Sequence, residues 1–468
     1  MSETDAMFAV LRQSADAATA EAIERLVEHG SDRDLCRINV LAFAAKAGLD
    51  EERTIAAFLH ASRIGLFDLS WNVLCPSCGG VLDAGATLKN IDQAEYHCGF
   101  CAAGYAPNLD AVIEVAFIVS ARVRRIAAHD PSTLPAPDYL SQVFWSSGVD
   151  LPEDFARAFE EVTLESLELS PGEKALVSLN LPAEFVIVFD PVTHAGLFIH
   201  VKGEPTRERQ SLSVILNDVR APTGTIDLRP GPLRIALENR STRRALPIVW
   251  LAGAKLEALL QRRRPFVTGK RLLTNQVFRD IYRTDTLDID QRLQITSLTF
   301  LFTDLKGSTE LYDRVGDLAA FELVNEHFRL LTEIVASEAG AVVKTIGDAV
   351  MATFPTPDRA LSAALRMREA MRRFNAARHH EDLLLKIGIH EGPCLAVVLN
   401  DRQDYFGQTV NIASRVQHLA VSRSILASGS VIDHPEAAAL LETSGLRPLP
   451  KHDPLRGITE DVAVYEIP

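Results

Sequence analysis

Two Cys-x-x-Cys pairs constrain the first half of this chain more tightly than any other feature. Cys75-Pro-Ser-Cys78 and Cys98-Gly-Phe-Cys101 are separated by 19 residues, which is zinc-ribbon spacing. Each pair occupies a short turn, so its thiolates can converge on one ion and four soft ligands complete a tetrahedron. Such a closed site leaves no position for substrate, so one structural Zn²⁺ per chain is expected. A thioredoxin-like redox reading would need a surrounding βαβ pattern, and none is evident. Cys36 and Cys394 stand alone, so this is no disulfide scaffold.

The chain has 468 residues, which suggests about three domains. Hydrophobic residues at 47% and charged residues at 24% exclude a largely disordered or low-complexity polymer. Lys and Arg number 48 against 62 Asp and Glu, a net charge of −14. That balance argues against nucleic acid or an anionic membrane as a partner of the whole chain. No apolar run reaches the ~18–20 residues that cross a bilayer; the longest, near Ala111–Ala121, is interrupted by Glu114. The acidic opening Met-Ser-Glu-Thr-Asp-Ala-Met lacks the cationic start and apolar core of a secretion signal. A cytoplasmic location is expected.

Composition divides the chain into five stretches. Residues 1–72 repeat apolar positions at three and four, a helical pattern compatible with a winged helix, though no recognition helix rich in Arg, Asn and Gln is visible. Residues 73–109 hold the ribbon. Residues 110–254 are β-rich, with apolar runs such as Ala183–Asp190, Ala195–Val201 and Leu212–Val219 broken by turn formers; a sandwich-like regulatory domain is expected. Residues 255–296, with Arg262-Arg263-Arg264 and Lys270-Arg271, read as a linker or transducer.

Residues 297–468 carry the chemistry. Ser297–Thr303 is an apolar strand ending in Asp304, followed by Ser308 and Thr309, either of which can cap a helix whose free N–H groups suit a phosphate. After a helix over Leu318–Glu338 come strands Ala341–Ile346 and Ala349–Phe354 joined by a Gly347-Asp348 turn. That hairpin brings Asp348 to the same end of the sheet as Asp304, a carboxylate pair suited to two Mg²⁺ ions. A helix over Asp358–Arg378 and a strand Leu384–Ile389 follow. Asn411 and Arg415, four apart, share a helix face.

Phe-Thr-Asp304-Leu-x-x-Ser-Thr, Val-Lys344-Thr-Ile-Gly-Asp348-Ala-Val-Met and Asp404-x-x-Gly-x-x-Val-Asn411-x-x-x-Arg415 together resemble the class III nucleotidyl cyclase catalytic domain, in family order, over essentially all of residues 297–468. The resemblance implies an α+β fold with a ferredoxin-like βαββαβ core, working as a homodimer with sites in the cleft between subunits. It implies that Asp304, Asp348 and the Leu305 carbonyl hold two Mg²⁺ or Mn²⁺ ions per active site. Asn411 would orient the ribose and Arg415 would neutralise charge growing on the α-phosphate. Lys344 and Asp404 match the family's adenine-selecting pair: adenine offers N1 as acceptor and its amino group as donor, whereas guanine reverses both. Arg456 stands where the family usually has a phosphate-binding Lys, keeping charge but changing geometry. Pro393–Asn400 lacks glycines common there in the family, a difference confined to a hairpin.

The implied activity is an adenylate cyclase, ATP to 3′,5′-cyclic AMP and pyrophosphate, regulated by the N-terminal half. The alternatives are a catalytically silent nucleotide-binding regulator or scaffold, and a guanylate cyclase.

Overall fold

The computed structural model describes residues 2–91, 94–219, 223–282, 287, 291–306, 313–378, 383–399, 402–421, 423–452, 455, 457–458 and 462–468. The chain is α+β and forms two compact units, Met1–Pro107 with Ala111–Val267 and Asn108–Asp110 with Thr268–Pro468. No helix among the described residues is long and apolar enough to cross a membrane.

The first unit opens with helices Glu3–Ser14, Ala17–His29, Asp32–Leu35, Val40–Ala47 and Glu51–Arg63. Ser2, Asp16, Ser31, Asn39 and Asp50 each accept a backbone N–H of the helix that follows, satisfying donors that have no partner within the helix. The apolar run after them forms strand Phe67–Leu74, paired with Val81–Gly85 on one edge and Ile113–Val119 on the other. Beyond these, a three-stranded sheet (Gln210–Leu216, Gly231–Asn239, Lys174–Leu181) and a five-stranded sheet (Gly224–Leu228, Gly196–Val201, Val186–Phe189, Ile248–Leu251, Thr163–Ser166) share one apolar cluster containing Val177, Ile235, Val188, Ile199 and Val249. The alternating burial along Lys174–Leu181 is what a sheet with one core face requires, and it matches the sandwich expected from the sequence.

The second unit is built on a mostly antiparallel sheet. Its order is Ala341–Ile346, Ala349–Phe354, Leu293–Lys306, Leu384–Leu399, Ile425–Ser428, Val464–Ile467, Leu449–Lys451, with Arg402–Phe406 hairpinned onto Leu384–Leu399. The first four strands, with helices Asp317–Ser337 and Pro357–Arg378 between them in sequence, reproduce the ferredoxin-like βαββαβ order. Those helices bury Leu331, Val335, Leu361, Met367 and Met371 in a core with Leu301, Ala352, Phe354 and Ile387. A second cluster, Ile412, Val416, Leu426 and Val464, includes the helix Gln408–Leu419. Leu298–Thr303 is therefore buried throughout and reads as a continuous apolar run rather than an alternating one.

Candidate active site and metal centre

The carboxylates come together through strand register. Leu293–Lys306 and Ala349–Phe354 pair with Phe302 opposite Met351, and the Thr303 hydroxyl accepts the Val350 N–H at 3.0 Å. Continuing that antiparallel register by two residues sets Asp304 level with Ala349, beside Asp348. Asp348 itself follows Gly347, which takes φ +63° in the turn between Ile346 and Ala349; glycine meets that left-handed geometry without a Cβ penalty.

Asp304 and Asp348 differ in their partners. Asp304 lies opposite Lys386 across the sheet, with Lys386 Nζ 2.6 Å from Oδ2. Asp348 Oδ2 is buried without a hydrogen-bond partner among the described residues. A buried carboxylate oxygen left without a donor carries a desolvation cost, so this oxygen fits an arriving cation. The Leu305 carbonyl belongs to the same strand end. Two hard carboxylates and a carbonyl are donor types that suit Mg²⁺ or Mn²⁺.

Lys344 and Asp404 come from separate strands and meet directly, Nζ to Oδ2 at 2.5 Å. Asp404 is 7% exposed, and its Oδ1 accepts the Tyr405 N–H at 2.8 Å. One carboxylate oxygen is thus fixed by backbone while the other holds the lysine. Asn411 and Arg415 are both exposed on the helix Gln408–Leu419. Asn411 lines a surface cleft of about 420 Å³ with Phe406, Gly407 and Ile458. That helix lies directly on the Leu384–Leu399 strand: a Cβ on Gly388 would come 2.2 Å from the Gln417 nitrogen, so glycine is required for the approach. His390, read from sequence as structural, is buried with Nδ1 2.7 Å from Ser428 Oγ, and burial pushes it down to about 4. Ser308, Thr309 and Arg456 lie outside the described residues.

Sequence reasoning missed two residues. Lys386 supplies an internal counter-cation to Asp304, and its only signal is cross-strand register. Arg279, in the stretch read as linker, donates to the carbonyls of Gln403 at 2.9 Å and Val343 at 3.4 Å. Those carbonyls immediately precede Asp404 and Lys344, so one guanidinium ties together the two strands that carry the pair. Gln276, on the same short helix, accepts the Val342 N–H at 2.8 Å.

In the first unit the four cysteines converge. One sulfur from each of Cys75, Cys78, Cys98 and Cys101 lies within 4.8 Å of the others, and Cys78 and Cys98 are 3.7 Å apart. Four sulfurs at Zn–S bond length on a tetrahedron stand ~3.8 Å apart, so the cluster is compatible with zinc. Mutual hydrogen bonds among the four thiols, those with Cys101 first, draw Cys75 below its usual range and push Cys78 and Cys98 above theirs. The Cys78 knuckle is braced by Gly80 N–H to its sulfur at 3.4 Å and by Arg263, which donates to the carbonyls of Cys78 and Ser77. Arg262 and Arg264 both pair with Asp150, so the basic triplet is tied into this unit.

Residues 291–443 match the adenylate and guanylate cyclase catalytic domain, and residues 1–280 match a family of unknown function, DUF5939. Among curated relatives, the adenylate cyclase of Anabaena cylindrica is 29% identical over 185 residues, 36% of this chain and 36% of that protein. Adenylate cyclase 1 of Rhizobium meliloti is 30% identical over 151 residues, 29% of this chain and 23% of that protein. Guanylate cyclase 2G of Mus musculus is 29% identical over 203 residues, 41% of this chain and 17% of that protein. The chain thus spans roughly a third or less of these relatives' length, and both nucleotide specificities occur among them. With the DUF5939 match covering more than half of its length, the chain belongs to that family of unknown function and carries, C-terminal to the matching region, a class III adenylate and guanylate cyclase catalytic domain.

Proposed function

We propose that this protein is an adenylate cyclase that converts ATP to 3′,5′-cyclic AMP and pyrophosphate at composite sites of a homodimer, under regulation by its N-terminal half. The observation that carries the choice of base is the Lys344–Asp404 pair. A lysine donor and a carboxylate acceptor complement adenine N1 and its amino group, and each would face a like partner on guanine. The presence of Asp304, Asp348, Asn411 and Arg415 together favours turnover over a silent nucleotide-binding scaffold.

Asp304, Asp348 and the Leu305 carbonyl are the residues that would hold two divalent ions. Such ions supply Lewis-acid activation of the ribose 3′-hydroxyl and charge neutralisation on the pyrophosphate leaving group. Asn411 orients the ribose so that its 3′-oxygen faces the α-phosphorus, which saves much of the entropic cost of alignment. Arg415 places a fixed positive charge where the α-phosphate gains negative charge in the transition state. Arg456 and the backbone at Ser308 and Thr309 would hold the remaining phosphates. Lys386 keeps the Asp304 carboxylate oriented until nucleotide and metal arrive.

The homodimer is supported by apolar surface around these residues. Ile346 is 53% exposed and Phe406 64%, one beside the Gly347-Asp348 turn and the other two residues after Asp404. Each chain supplies the carboxylates once and the base and transition-state residues once, so two-fold pairing builds two equivalent sites. The cysteine cluster is read as one structural Zn²⁺ per chain.

Three outcomes follow from this reading. Lys344→Glu with Asp404→Ser should lower the ATP-to-GTP ratio of kcat/KM, each reversed hydrogen bond costing about 1–3 kcal/mol; an unchanged ratio would refute the base-reading assignment. Mixing Asp304→Ala with Asn411→Ala chains, each inactive alone, should restore about 25% of wild-type activity, because half the dimers are mixed and one of their two sites is intact. If mixed dimers form and activity stays at background, the shared-site mechanism fails. Elemental analysis of reduced protein should find one zinc per chain, and removing it should loosen the first unit without abolishing intrinsic turnover. Protein that is folded and zinc-free as purified would contradict the metal assignment.

A further inference from the structure

The helices that open the first unit line a cavity of about 580 Å³ whose charged residues are nearly all cations, set among apolar side chains. Arg25 and Lys46 are exposed on helices Ala17–His29 and Val40–Ala47, and Arg33, Arg37 and Arg264 are half-buried at its walls. Asp34 is the single acid among the described lining residues. In a chain of net charge −14, five such cations gathered on one concave surface make a local positive field. Only Arg264 has a carboxylate partner, Asp150 at 3.0 Å, among these five in the described structure. Arg33 is spent on the backbone carbonyls of Leu151 at 3.1 Å and Pro152 at 2.9 Å. Burial first, then the nearby charge of Arg264, draws Arg33 below the usual guanidinium range. An anion would relieve that repulsion.

Two residues of the lining carry buried donors. Trp145 lines the cavity, is 1% exposed, and its Nε1–H has no acceptor among the described residues. The Nε–H of Arg264 is likewise buried without one.

The walls are also built to hold a shape. Arg37 sits at φ +47°, a left-handed conformation that a long side chain adopts only when its surroundings enforce it. Its guanidinium donates to the Trp145 carbonyl at 3.0 Å. The Ser147 N–H and hydroxyl both bond the fully buried Glu114 carboxylate, at 2.9 and 2.6 Å. Asn39 then donates to the Ser147 and Pro265 carbonyls at 3.2 and 2.9 Å. The volume is in the range of small-molecule sites, and guanidinium forks match phosphate oxygens.

We propose that this cavity binds a small molecule bearing phosphate groups, of about nucleotide size, independently of the catalytic site. The test is calorimetric titration of the full chain with inorganic pyrophosphate, without added divalent metal, alongside citrate as a carboxylate polyanion. Pyrophosphate should bind, weaken as salt rises, and lose at least ~10-fold in affinity in the Arg25→Gln/Lys46→Gln variant. Both substituted side chains are exposed, so that variant keeps the core intact. Arg415→Ala, which alters the catalytic end, should leave this binding unchanged. The proposal is overturned if pyrophosphate does not bind at about 1 mM, or if the double substitution leaves its affinity unchanged. It is also overturned if Arg415→Ala abolishes binding, or if citrate binds more tightly than pyrophosphate.

Discussion

Pairing of Leu293–Lys306 with Leu384–Leu399 is the constraint on which the second unit depends. The ladder runs from Leu293 opposite Ala396 to Lys306 opposite Leu384, and the remaining strands attach to its two free edges. Its register decides which side chains meet. A slip of one residue would turn Asp304 to the other face, away from Lys386. The same ladder carries Gly388, whose bare backbone admits the helix of Asn411 and Arg415. That strand pair therefore fixes Asp304 and seats the residues proposed to act on ribose and phosphate.

The pair proposed to read the base depends on a different arrangement. Lys344 and Asp404 lie on strands that do not pair with each other. Their salt bridge is supported from beneath by Arg279, which binds the carbonyl of the residue before each. Residues 276–281, ahead of the sheet in sequence, thus belong to the scaffold of the candidate site. A shift of that short helix would be felt first at the Lys344–Asp404 pair.

Local patterns made much of this legible. Strands Ala341–Ile346 and Ala349–Phe354 have the bounds expected from sequence, because a two-residue turn with glycine between apolar β-branched runs has few other solutions. The returning strand was expected to stop at Ile389 and continues to Leu399. Pro393 looks like a strand breaker, yet it falls at a register irregularity between Ile295 and Leu298 of the neighbour, where a missing donor is tolerated. The cysteine cluster was readable because its ligands come in closely spaced pairs. Lys386, Arg279 and the cationic cavity were not. Each is assembled by contacts between segments far apart in sequence, the cavity from residues near 25–46, near 145 and at 264, and no local periodicity encodes such a meeting.

The central claim is that this cyclase domain acts on ATP and selects it through a lysine–carboxylate pair. It is tested most directly by steady-state turnover of the unmodified full chain with ATP and with GTP, each with Mg²⁺ and with Mn²⁺, identifying the cyclic product. The account predicts cyclic AMP as the main product and a kcat/KM for ATP at least ~100-fold above that for GTP. Equal use of the two nucleotides, or a preference for GTP, would contradict it.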